Sequence, residues 1–100
     1  LNIWHWKDSQ DDQNAYSLKI FRRQIEKISS WCFDAAMIPL DPRLEDNAPN
    51  AIIEFMNTVK CRHLFPMHYW NRREAAAVYL RDARLDPFRD RICFVNEMEV

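Results

Sequence analysis

The chain contains no glycine in 100 residues, where ordinary usage would be near ~7%. Glycine is the residue most at ease with positive φ and the one that lets backbone approach a phosphate closely. Its absence excludes the Gly-rich phosphate loop and the dinucleotide-binding turn, both of which are built on spaced glycines. Turns must therefore be made by Asn, Asp and Pro. An excess of either charge is missing too: 14 Lys+Arg stand against 15 Asp+Glu, a net charge of -1. No overall field draws this chain to nucleic acid or to an anionic membrane, so neither is expected as a partner. No apolar run approaches the roughly 20 residues needed to cross a bilayer. The opening residues lack the basic and apolar regions of a signal peptide, and a cytoplasmic setting is expected. Cysteine is odd in number, with Cys32 and Cys93 beside apolar residues and Cys61 at a helix end ahead of a strand. All three are expected to be reduced and buried.

What is present is apolar material, 48% hydrophobic with 13% aromatic residues, enough for one domain to bury a core. The first residues, Leu1-Asn2-Ile3-Trp4-His5-Trp6, form an aromatic cluster with no initiator Met. That start suggests a piece of a longer protein. Leu18, Phe21, Ile25 and Ile28 recur at spacings of three and four and predict a helix over 11–30. The apolar run from Trp31 to Leu40 is too short for another helix and predicts a buried strand over 33–39. Asp41-Pro42-Arg43 reads as a turn, because Pro42 fixes its own φ and keeps Asp41 out of the helical region. A second helix is expected from about Ala48-Pro49 to Lys60, with Ile52, Phe55, Met56 and Val59 on one face. A strand over 62–67 follows. A third helix is expected with Asn71 as N-cap and Glu74 three residues on, closed by Asp86-Pro87. A last strand is expected over 91–95. Helices alternating with strands indicate an α/β layered architecture.

In open α/β sheets, ligands gather beyond the carboxyl ends of the strands. Two loops qualify, Asp41-Pro42-Arg43 and His68-Tyr69-Trp70, and the opening Trp4-His5-Trp6 is a third candidate. His68 stands out because a neutral imidazole at a stiff strand end is a good ligand for zinc, iron or manganese. A partly buried histidine bonded to backbone is the competing reading, and spacing alone does not decide between them. Asp41 and Arg43 are candidate catalytic residues, since a guanidinium suits bidentate contact with an anionic or carbonyl group. An Asp-Pro turn with a surface ion pair explains them equally well.

Three segments together carry a resemblance: Leu1-Asn2-Ile3-Trp4-His5-Trp6, Pro39-Leu40-Asp41-Pro42-Arg43 and Leu64-Phe65-Pro66-Met67-His68-Tyr69-Trp70. In order and spacing they resemble the C-terminal half of metallo-β-lactamase-fold hydrolases, in a branch of bacterial metal-dependent hydrolases. The resemblance implies a four-layer αββα sandwich with one or two metal ions, zinc foremost, between its sheets. It makes His68 the last metal ligand. His5 then becomes a candidate catalytic residue beside the metals, with Trp4 and Trp6 lining the substrate pocket and Tyr69 and Trp70 capping it. Core packing explains the two tryptophans Trp4 and Trp6 equally well, and packing against the third helix is the commoner fate of Tyr69 and Trp70. The resemblance also implies a missing N-terminal half that carries a His-x-His-x-Asp-His motif, and a bridging aspartate just before Leu1. The implied reaction is metal-assisted hydrolysis of a small-molecule ester, lactone, amide or phosphoester. Asn71-Arg72-Arg73 departs from the pattern, where the relatives tend to have Gly and a small polar residue.

Two other readings compete. A non-catalytic domain with the same half-fold would self-associate, as a homodimer, through its uncovered sheet face. A zinc module built on Cys61, His63 and His68 matches no common zinc-finger spacing.

Overall fold

A computed structural model describes residues 2–4, 11–69 and 71–94, and it shows a mixed α/β fold around a two-stranded parallel sheet. Helix α1 spans Asp11–Glu26. Its stripe faces inward as the periodicity predicts, with Phe21 and Ile25 buried and Leu18 and Ile28 partly so. The helix stops short of residue 30. Ile28 and Ser29 donate to Ile25 and Glu26 three residues back, and the Ser29 hydroxyl also donates to the Glu26 carbonyl at 2.8 Å. Serine thus satisfies a terminal carbonyl that continued helix would have used.

Strands β1 (Cys32–Pro39) and β2 (Lys60–Met67) run parallel, in register from Cys32 opposite Lys60 to Pro39 opposite Met67. Parallel neighbours need a crossover. Here it consists of a 3₁₀ segment, Pro42–Asn47, and helix α2, Asn50–Thr58. Ala51, Ile52, Phe55 and Met56 make the buried face of α2. One sheet face meets this core through Leu64, Ala36 and Ile38. Side chains alternate along a strand, so the opposite face carries Ala35, Met37 and, at the register position of Ala35, His63. All three are exposed, Met37 by 64%.

Helix α3 is short, Arg73–Tyr79, and buries Ala76, with Leu80 just past its end. Its N-cap is Arg72 and not Asn71, and no side chain caps it, so the expected capping box does not form. Asp86-Pro87 does not close this helix. It lies inside a second 3₁₀ segment, Ala83–Arg91. Leu85 and Phe88 anchor that segment in the core. In place of the expected strand over 91–95, the described residues make one parallel bridge, Ile92 to Leu64, and a 2.7 Å bond from Cys93 N–H to the Leu64 carbonyl. Among the described residues, no helix is long and apolar enough to cross a membrane.

Candidate functional site

Because β1 and β2 are parallel, both carboxyl ends lie at one edge of the sheet. Leu40 N–H donates to the Met67 carbonyl at 2.8 Å, so pairing persists to the last residue before each loop. Asp41 and His68 are the next residues on either side. The two loops picked from the sequence are therefore brought together, and α3 rests against the 3₁₀ segment that follows Asp41.

His68 is exposed, and its backbone sits at φ 62. The other described residue at positive φ is Glu45, at φ 53, within the segment after β1. Both lie in the loops beyond the strand ends, where a chain with glycine would normally place one. A non-glycine residue in this region costs on the order of 1–2 kcal/mol and persists only where its surroundings hold it.

Asp41 is 1% exposed and is the N-cap of the first 3₁₀ segment. Its Oδ1 accepts from the Arg43 backbone N–H at 3.0 Å, and Arg43 returns with Nε at 3.0 Å and Nη2 to Oδ2 at 2.6 Å. Burial pushes the Asp41 carboxyl upward. The Arg43 side-chain and backbone bonds, with the charges of Arg43 and Arg72, outweigh it and hold the group below the usual carboxylate range. Both oxygens are thus engaged by Arg43, which leaves Asp41 better suited to shaping the loop than to receiving a metal.

The same device occurs a second time, where no sequence signal had drawn attention. Asp82 caps the second 3₁₀ segment, accepting from Arg84 N–H at 2.9 Å, while Arg84 Nη2 reaches its Oδ2 at 2.7 Å. The Arg84 hydrogen bond is the main reason that the Asp82 carboxyl is held low, against the opposing effect of burial. Arg84 also donates to Asn50 Oδ1 and to the Asp46 carbonyl, tying the second 3₁₀ segment to the start of α2. An Asp-x-Arg clip is therefore a general way in which this chain starts a 3₁₀ turn. This favours the structural reading of Asp41 and Arg43 over the catalytic one.

Both carboxyls are lower in the folded chain than the unfolded value of about 3.9. Their stabilisation is complete above that value and is lost as pH falls through the folded pKa. Thermal melts should therefore show an acid-dependent fall below about pH 4 that is reduced in a D41N/D82N variant. An unchanged acid profile in that variant would refute the assignment.

The remaining candidates are spread out. Trp4 is 43% exposed and its backbone N–H donates to Ser17 Oγ on α1 at 2.7 Å. Tyr69 turns its ring edge-on to Phe94, with centroids 5.5 Å apart, and Arg73 lies 4.3 Å over the same Phe94 ring. That packing explains Tyr69 without a substrate. His5, Trp6 and Trp70 lie outside the described residues. A cleft of about 190 Å³ between α3 and the second 3₁₀ segment, lined by Ala77, Leu80 and Phe94 among others, involves neither Asp41 nor His68.

Among the described residues, no group of three His, Cys, Asp or Glu is placed to hold a metal ion. At this edge the imidazole of His68 is exposed and would supply at most one ligand. The cysteines depart from expectation: all three are free, but only Cys61 is buried, while Cys93 is half-buried and Cys32 exposed. Comparison with protein-family models, with curated proteins and with solved structures returns no match.

Proposed function

We propose that this chain is the C-terminal portion of a metal-dependent hydrolase with a four-layer αββα sandwich, in which His68 is one metal ligand. The observation that carries the reading is the position of His68. It is exposed at the carboxyl edge of a parallel sheet, one residue past the last paired residue of β2 and beside the loop that Asp41 and Arg43 hold rigid. Ligands collect at such edges because the strands fix the geometry and the loops supply the side chains. The left-handed backbone at His68 supports the reading further, since strain of this kind concentrates where a side chain must be held in place. The divalent metal, zinc by resemblance, supplies Lewis-acid chemistry toward an ester, lactone, amide or phosphoester of a small molecule. In this chain, His68 would bind, and the Asp41–Arg43 clip would keep the neighbouring loop in register. The other ligands would come from the N-terminal half that the resemblance implies. A catalytic zinc site needs about three protein ligands.

Elemental analysis and hydrolysis assays on the protein that carries this chain test the proposal. Stoichiometric zinc is expected in the unsubstituted protein, with metal affinity at least about tenfold lower in H68A and a matching loss of activated-ester or phosphodiester hydrolysis. Absence of zinc from the unsubstituted protein, or H68A that keeps its metal and activity, would remove the reading.

A second reading, a non-catalytic domain that self-associates, is favoured by one observation: Met37 stands 64% exposed on the sheet face opposite Ala36, Ile38 and Leu64. A dimer by light scattering that M37E converts to monomer would support it. A monomer at all concentrations would exclude it.

A further inference from the structure

The three cysteines occupy three different chemical settings, and one of them faces a base. Cys61 is buried and donates its thiol to the His63 carbonyl at 3.2 Å. Cys32 is exposed at the start of β1, with Lys60 at its register position. Cys93 is half-buried, with its sulfur 3.8 Å from Nδ1 of His63 and 3.9 Å from the Arg91 carbonyl. The pair is held by backbone on both sides. His63 lies within β2, and Cys93 is fixed to the same strand by its own N–H bond to the Leu64 carbonyl and by the adjoining Ile92–Leu64 bridge. Backbone pairing on both sides thus sets the separation of this sulfur and imidazole, although the His63 ring is exposed.

From this arrangement we infer that Cys93 is a thiol-modification site, with His63 as its proton acceptor and a low-molecular-weight disulfide as its reactant. A thiol becomes a nucleophile when its proton can leave, and an adjacent imidazole is the usual recipient. The Cys93 S–H proton passes to His63 Nδ1 as the sulfur attacks one sulfur of the disulfide. The reactant's S–S bond breaks and a new S–S bond joins Cys93 to one half. The other half departs as a thiolate and takes the proton back from His63. Cys93 is oxidised to the mixed disulfide, and one half of the reactant is reduced to a thiol. No further oxidant is needed. A separation of 3.8 Å is long for immediate transfer, but such contacts commonly tighten only when the reactant is bound.

The competitor is Cys32, which has the greater exposure. Lys60 can favour its thiolate only by charge, and water and salt screen that effect at an exposed site. An ammonium carries no lone pair to take the proton. Cys61 has neither exposure nor a base, because a carbonyl accepts the hydrogen bond without accepting the proton. The order of reaction should be Cys93, then Cys32, then Cys61. This inference rests on β2 itself and not on the loop that carries His68, and it stands whether or not the hydrolase reading does.

The test is timed incubation of the folded chain with glutathione disulfide, followed by peptide mass mapping of the mixed disulfide at each cysteine. Cys93 is expected to react first, and H63Q is expected to slow it roughly tenfold while leaving the Cys32 rate unchanged. Equal or faster reaction at Cys32 in the unsubstituted chain, or an unchanged Cys93 rate in H63Q, would overturn the inference. Continued protection of Cys61 in the same maps reports that H63Q is folded. Should that variant unfold, the ratio of Cys93 to Cys32 rates in the unsubstituted chain decides alone.

Discussion

Replacing Asp41 with alanine is expected to lower the unfolding free energy by about 2–4 kcal/mol, combining a lost N-cap with lost charge-assisted hydrogen bonds. The Asp41 side chain is 2% exposed and makes its bonds at the point where β1 turns into the crossover, so removing it releases the first 3₁₀ segment and the loop beside His68. Asp82 provides the comparison within the same molecule. Its clip has nearly the same geometry, but its side chain is 25% exposed, and water partly replaces what alanine removes. D82A should therefore cost less, about 1–2 kcal/mol. Urea titrations of both variants measure the difference. D41A costing no more than D82A would show that burial of Asp41 adds nothing to its role. A total stability of about 5–15 kcal/mol is typical of a domain, so the D41A loss is a large fraction of what is available.

Leu64 to alanine should have an effect of similar size, about 2–5 kcal/mol, because a fully buried leucine leaves both lost transfer energy and an incompletely filled cavity. Leu64 is 0% exposed. It lies opposite Ala36 on β1 and also bridges Ile92, so its side chain fills the place where three chain segments meet. The variant should weaken protection of the Cys93 amide against hydrogen exchange as well as overall stability, since that amide bonds the Leu64 carbonyl. Exchange at Cys93 as slow as in the unsubstituted chain, with a loss under about 1 kcal/mol, would mean that the core closes over the gap.

The parts of the fold legible in the sequence are those set by hydrophobic period. The α1 stripe, the buried face of α2 and the short β2 follow from where Phe21, Ile25, Ile52, Phe55 and Leu64 must go. The apolar run of β1 does form a strand, but not the buried one expected, since Pro39 alone of its residues is buried. The 3₁₀ segments were not legible, because i→i+3 turns are chosen by caps and side-chain bonds and leave little periodic signal. Asp82-Ala83-Arg84 reads as ordinary surface charge until its bonds to Asn50 and Asp46 are seen. Asp86-Pro87 suggested a helix end because proline lacks an N–H, yet a chain of short turns can begin again at a proline. The α3 start missed Asn71 by one residue, where Arg72 takes the cap position without a side-chain bond.

At the candidate site, the meeting of the Asp41 and His68 loops was legible from the expectation of strands ending at Pro39 and Met67. The Asp41–Arg43 ion pair was among the readings open from the sequence, but as a surface pair. That Asp41 is buried was not legible, because neighbouring positions do not tell which way a side chain turns. The Cys93–His63 contact was also out of reach. It joins residues 30 positions apart through a single bridge, and no spacing rule encodes such a meeting.

The left-handed backbone at Glu45 and His68 has a counterpart in the denatured ensemble. A chain without glycine explores fewer conformations when unfolded, and each glycine replaced at a compatible site is worth about 0.4–1 kcal/mol. For the roughly seven glycines usual at this length that restriction amounts to about 3–7 kcal/mol, comparable to or above the about 2–4 kcal/mol of the two strained positions. The polypeptide can hold a tense pair of loops because it has less freedom to give up elsewhere.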